Sequence, residues 1–154
     1  MSKYIFPATF QWDEKDKVYY VNFPDVDGCF TDGATLTEAM ENADDVLNLM
    51  VWSMEQQKQA IPEPTPWDKV KVPENGFVNL VVADTEAYQD VIDRENNPIK
   101  YARKKAGLNV KGLAELLGAP YRTVQEWNAG NRMPPKWVQR LIIEKIEANM
   151  VSGK

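Results

Sequence analysis

The side chains able to do chemistry in this chain are few, and most are carboxylates. Asp25, Asp27, Asp32 and Glu38 fall close together in sequence. Two-metal cleavage of a nucleic acid would need several such groups converging from separate strands and a helix. These four lie in turns and at a helix cap, and the first strand offers no acid in its interior. The chain has no histidine. That removes the commonest general base, the commonest zinc ligand and every Ser-His-Asp or Cys-His nucleophile. The single Cys29 can form no internal disulfide and, without histidine, no zinc site of ordinary composition. The sequence therefore predicts no catalytic residue, no metal site and no cofactor, and the chain reads as non-enzymatic.

The second group of useful side chains sits near the C-terminus and suits recognition. Tyr121, Arg122, Thr123, Gln125, Glu126 and Asn128 follow Pro120, and Arg132 and Lys136 flank the next turn. Arginine can pair with guanine edges, and glutamine and asparagine with adenine edges. If Tyr121–Ala129 is a helix lying in a major groove, its N-terminal residues Tyr121, Arg122 and Gln125 go deepest. Arg132 and Lys136 then lie near phosphates.

Charge supports a division of labour. The net charge of −5 is the balance of two unlike parts. Residues 1–97 carry 7 basic against 19 acidic side chains, and residues 98–154 carry 11 against 4. Phosphate binding depends on the field within about 10 Å at 0.1 M salt, so a local value of +7 outweighs a mildly acidic whole.

The elements that must position these residues follow from periodicity. Tyr4–Trp12 alternates as a strand, with Tyr4, Phe6, Ala8, Phe10 and Trp12 on one face, and Pro7 argues for an edge. Val18–Phe23 completes a hairpin, and Cys29-Phe30-Thr31 is a short third strand. Thr35 and Glu38 form a capping box. They open a helix with an apolar stripe at Leu36, Ala39, Met40, Ala43, Val46, Leu47, Met50 and Met54, running to about Gln59. Residues 61–75 hold four prolines and read as an extended connection. Phe77–Asp84 is so apolar that it is expected between neighbouring strands and under the helix.

From Pro98 the pattern becomes helical and basic. Ile99–Ala106 is a short helix ended by Gly107. Asn109 caps Val110–Leu117, Gly118 allows a tight turn, and Tyr121–Ala129 ends at Gly130. Pro134-Pro135 opens a last helix whose Trp137, Leu141, Ile142 and Ile146 are spaced for packing. Leu113, Leu117, Val124 and Trp127 face a shared core, and Ala114 is small where two helices cross. Two short helices joined through a glycine-containing turn describe a helix-turn-helix.

The fold class is thus α+β. A β-β-β-α-β domain spans residues 1–84, a connection with room for a short helix spans 85–97, and an all-α domain spans 98–150. No apolar run is long enough for a membrane span, and the first residues lack a signal-peptide layout. A cytoplasmic protein is expected.

Two resemblances sharpen this reading. The stretch LNVKGLAELLGAPYRTVQEWNAGNRMPP resembles the helix-turn-helix of Cro/C1-type (Xre-like) regulators. Leu113-Ala114, Leu117-Gly118, Thr123-Val124, Trp127, Gly130, Arg132 and Pro134 carry the likeness. Pro120 departs from it, standing where a hydroxyl cap is usual. The run YYVNFPDVDGCFTDGATLTEAMENA resembles HicB-like antitoxins through Tyr20, Val21, Phe23-Pro24-Asp25, Gly28-Cys29, Thr31, Gly33, Thr35 and Glu38-Ala39. That resemblance implies a truncated ribonuclease H-like fold over residues 3–84. It also implies a HicA-like, mRNA-cleaving toxin as partner, operator DNA as a second partner, repression of the protein's own operon, and at least a homodimer. The signature residues themselves have a structural reading, since they suit turns and a helix cap. A stand-alone DNA-binding regulator with a ligand-sensing or dimerising N-terminal domain is the competing reading.

Overall fold

A computed structural model describes residues 2–152. The elements are β1 (Lys3–Asp13), β2 (Val18–Asn22), β3 (Phe30–Gly33), α1 (Leu36–Gln56), a 3-10 turn (Trp67–Lys69), β4 (Gly76–Asp84), α2 (Thr85–Asn96), α3 (Pro98–Lys105), α4 (Val110–Leu117), α5 (Tyr121–Ala129) and α6 (Lys136–Ser152). An antiparallel sheet followed by helices makes the protein α+β. The chain divides after Gln89 into two compact units. The boundary falls inside α2, between the 84/85 and 97/98 limits expected from composition.

In the first unit the strands lie in the order β3-β2-β1-β4, all neighbours antiparallel. Alternation sends Phe6, Ala8, Phe10, Val21, Val81 and Ala83 to one face, where they are buried. Helix α1 closes that face with Ala39, Ala43, Leu47 and Val51, each one helical turn after the last. Leu36 and Met40, placed on the stripe by spacing, stay exposed, and Val51 takes the buried position beyond Leu47. Thr35 Oγ1 accepts the Glu38 amide at 3.1 Å, the Thr35 arm of the capping box. The helix stops at Gln56 rather than Gln59 because Lys58 turns to a positive φ of 56°.

Two strand expectations are corrected. Pro7 lies in a central strand rather than on an edge, opposite Leu80 of β4. It is tolerated because β2 ends at Asn22, opposite Thr9, so residues 3–8 of β1 have a neighbour on one side only. The amides of Leu80 and Asp84 bond to side chains, which shows that even-numbered β4 residues point away from β1. The Pro7–Leu80 pair is therefore one that exchanges no ladder bond, and the missing N–H costs nothing. Strand β4 itself is an edge and does not lie between neighbours. Its apolar run arises because Val81 and Ala83 face α1 while Leu80 and Val82 face outward, exposed with Ile5 of β1.

The free side of β4 is closed by asparagines. Asn48 of α1 accepts the Asp84 amide at 2.8 Å and donates to the Val82 carbonyl at 3.3 Å. Asn79 accepts the Leu80 amide at 2.9 Å. The proline-rich connection is tied back by Asp25, whose two oxygens accept Thr65 N (3.0 Å) and Thr65 Oγ1 (2.5 Å). Among the described residues no three His, Cys, Asp or Glu side chains gather to hold a metal.

Helix α1 approaches β3 very closely. A Cβ built on Gly33 would lie 2.4 Å from the Ala39 amide nitrogen and 2.7 Å from its Cα. Asn42 strengthens the same seam by donating to the Asp32 carbonyl at 2.8 Å.

In the second unit Ile99, Ala102, Leu113, Ala114, Val124, Ile142 and Ile146 form the core, with Leu117 and Trp127 half-buried beside it. Here the expectation for α6 is corrected in part. Ile142 and Ile146 pack inward, whereas Trp137 and Leu141 are exposed. Val138, one residue on from Trp137, joins the inward side, and a step of one residue rotates a side chain by about 100°.

Replacing Gly33 by alanine is expected to destabilise the first unit by about 1–3 kcal/mol, because backbone rather than a movable side chain blocks the Cβ. A urea unfolding midpoint within error of the parent's would refute the close contact. Cys29 is buried, and desolvation pushes its thiol up from about 9 to about 11. Above pH 9 the unfolded chain ionises first. Stability contributed by the neutral thiol is therefore present below about pH 9 and lost as pH rises toward about 11. A Cys29→Ala variant should lack that alkaline component, as urea midpoints across this pH range would show.

Candidate nucleic-acid interface

Helix α4 begins where Asn109 Oδ1 accepts the Gly112 amide at 2.7 Å. It ends at Gly118, whose φ of 66° is left-handed, and Ala119-Pro120 lead into α5. Pro120 fixes the entry of α5 but supplies no side-chain acceptor to its first-turn amides. Gly130, at φ 78°, ends α5 in the same left-handed way that Gly118 ends α4. Leu113, Ala114 and Val124 bury the inner sides of both helices, so the polar residues of α5 are turned outward.

The outward set is brought together unevenly. Tyr121, Arg122, Thr123 and Gln125 are exposed along the N-terminal half of α5. Arg122, Thr123, Glu126, Trp127 and Arg132 line one shallow depression. Tyr121 lines another with Lys111 and Glu115 of α4, and Lys136 lies in a third with Arg140. Glu126 and Asn128 are half-buried rather than freely exposed. Asn128 is also committed: its Oδ1 accepts Arg103 Nε at 3.2 Å and Nη2 at 3.0 Å. An asparagine held in this way cannot offer its carbonyl oxygen to an adenine edge.

The residues that hold α5 in place were not singled out by sequence. Arg103 of α3 grips Asn128 with one side of its guanidinium and donates to the Leu108 carbonyl with the other, at 2.7 Å. Asn97 caps α3 by accepting the Lys100 amide at 3.1 Å, and its amide group donates to the Trp127 carbonyl at 2.9 Å. Both side chains tie the start of the helical unit to the end of α5. In the sequence Asn97 only precedes Pro98, and Arg103 is one cation among several in a short basic helix.

Part of the positive charge is neutralised internally. Lys105 pairs with Asp90 at 3.2 Å, a bond that holds its ammonium above the ordinary range. Arg94 lies 5.0 Å over the Tyr101 ring and Lys105 5.6 Å from the same centroid. The exposed cations nearest α5 in sequence are Lys111, Arg122, Arg132 and Lys136.

The model of one family, described as the HicB-like antitoxin of bacterial toxin-antitoxin systems, matches residues 6–101. The chain belongs to the HicB-like antitoxin family. The match runs from within β1 through α2 and stops midway along α3, so α4 and α5 of this antitoxin lie outside it. An uncharacterised 14.9 kDa protein from Haemophilus phage HP1 is 33% identical over 69 residues, which are 44% of this chain. The antitoxin spans about half (52%) of that relative's length. Among solved structures, a chain of a toxin-antitoxin complex from Streptococcus pneumoniae superposes with a TM-score of 0.52 at 20% identity. That superposition covers 75% of this antitoxin and 97% of the other chain, and it shows a shared fold.

Truncating Arg103 to alanine removes three charge-assisted or backbone bonds at once. The loss expected is about 1.5–3 kcal/mol. Amide exchange in α3 and α5 should then quicken by about 10–100-fold, while β1 amides keep their protection. Unchanged exchange in α5 would show that the clasp is not what holds the helix.

Proposed function

We propose that this antitoxin binds and inhibits a HicA-like, mRNA-cleaving toxin through its first unit and represses its own operon through α4 and α5. In this reading the first unit is a truncated ribonuclease H-like domain and the second is a Cro/C1-type helix-turn-helix. The protein is not an enzyme. The observation that carries the DNA half is the outward array of Tyr121, Arg122 and Gln125 at the start of α5, on the one basic stretch of an acidic chain. Arg122 and Gln125 read base edges, Thr123 and Tyr121 assist, and Arg132 and Lys136 hold phosphates. Glu126 lines the same depression as Arg122, and Asn128 steadies α5 through Arg103.

Membership of the antitoxin family carries the toxin half and favours it over a stand-alone regulator. The excess of acid in residues 1–97 suits a cationic partner. Reading two half-sites about 34 Å apart requires two copies, so the functional species is a homodimer or a higher homo-oligomer.

The two halves separate by mutation. Arg122→Ala in the full chain should lower affinity for the operator duplex by about 10–100-fold, while the same variant still neutralises the toxin in cells. Lys136→Ala should weaken binding to every duplex alike and reduce the salt slope by about one. Mobility shifts across a salt series measure both. Operator affinity that is indifferent to Arg122 would remove α5 as the reading helix.

A further inference from the structure

Helix α1 covers one face of the sheet, and the pairing register defines what the other face presents. Tyr20 sits opposite Asp32, and Phe30 opposite Asn22. Asp13 ends β1 on the same side. Phe30 is 66% exposed and Tyr20 41% exposed. The Tyr20 hydroxyl donates to Asp16 Oδ2 at 2.5 Å. The Tyr20 phenol is pushed up to about 12, by the Asp16 bond first, then by desolvation, and then by the nearby charges of Asp16, Asp13 and Asp32.

Two aromatic rings on a flat, hydrogen-bonded platform, framed by carboxylates, match one kind of surface. Lysine and arginine side chains can stack on the rings and pair with the acids. Nucleic acid is repelled by the same carboxylates. A second copy of this chain meeting face to face would set three aspartates against three aspartates. The face spans strands about 4.8 Å apart, so it can supply the centre of an ordinary interface but not a deep cleft.

We propose that the β2–β3 half of the sheet face opposite α1, with exposed Phe30 and Tyr20 framed by Asp13, Asp16 and Asp32, docks the cationic surface of the toxin. This rests on the toxin-binding reading above and names the surface that performs it. Phe30 is the anchor, because an exposed aromatic at the centre of a charged frame is the residue whose truncation costs most.

The test uses the full chain and, as probe, a purified HicA-like toxin from the same genome. Phe30→Ala should weaken the complex at least 10-fold by calorimetry. Asp32→Lys should weaken it similarly and slow association most at low salt. Glu41→Lys, the same charge change on the exposed side of α1, should stay within threefold of the parent. Circular dichroism melts of all three should match the parent. Equal losses for Asp32→Lys and Glu41→Lys would reduce the effect to overall charge and overturn the proposal. So would tight binding by Phe30→Ala. A parent chain that fails to bind the probe would instead bring down the toxin-binding reading itself, and this inference with it.

Discussion

The first unit is organised by one close approach, the passage of α1 over β3 at Gly33. The Ala39 backbone occupies the space a side chain would take. The buried face beneath the helix then runs in rows set by the register: Phe10 and Val21 nearest Gly33, Ala8 and Phe6 in the middle, and Ala83 at the far end, where Asn48 reaches the Asp84 amide. Ala39, Ala43, Leu47 and Val51 of the helix complete the core over these rows. The contact at Gly33 seats the first turns of α1 on β3. It also decides which face of the sheet is left open, and so where Tyr20 and Phe30 are displayed.

The second unit is built on a different principle. Its core side chains are few, and polar ties supply what packing does not. The Asn97 bond to Trp127 and the Arg103 bonds to Asn128 cross 30 and 25 residues of sequence and hold the last turn of α5, while Arg103 also ties the Leu108 carbonyl of the α3–α4 loop. A helix held by hydrogen bonds to a charged group is fixed in direction more firmly than one held by apolar contact alone. The arrangement also uses a cation inside the fold that composition alone would assign to phosphate.

Much of this was legible beforehand. Alternation in Tyr4–Trp12 and Val18–Phe23, the Thr35 cap and the glycines at 118 and 130 are local signals, and local signals survive in the structure. What was not legible depended on partners distant in sequence. The edge position of β4 could not be read from an apolar run, because outward Leu80 and Val82 look like inward residues until the strand order is known. Pro7 misled because its tolerance comes from β2 being short, not from β1 being at an edge. Trp137 and Leu141 share the spacing of Ile142 and Ile146 with a one-residue offset, and only the position of α3 and α4 decides which pair turns inward. On the site, Arg122 and Gln125 were readable as exposed polar residues of a short helix. The commitment of Asn128 to Arg103 was not.

The asparagines along β4 carry a consequence for the antitoxin before any partner arrives. A nine-residue border strand with greasy residues on both sides is the sort of segment that recruits its own kind into fibrils. Asn48 and Asn79 occupy three of the sticky backbone groups with their own amides, which hinders one chain from zipping onto the next. A face of the sheet, by contrast with its rim, meets other molecules through side chains, where contact can be chosen for fit.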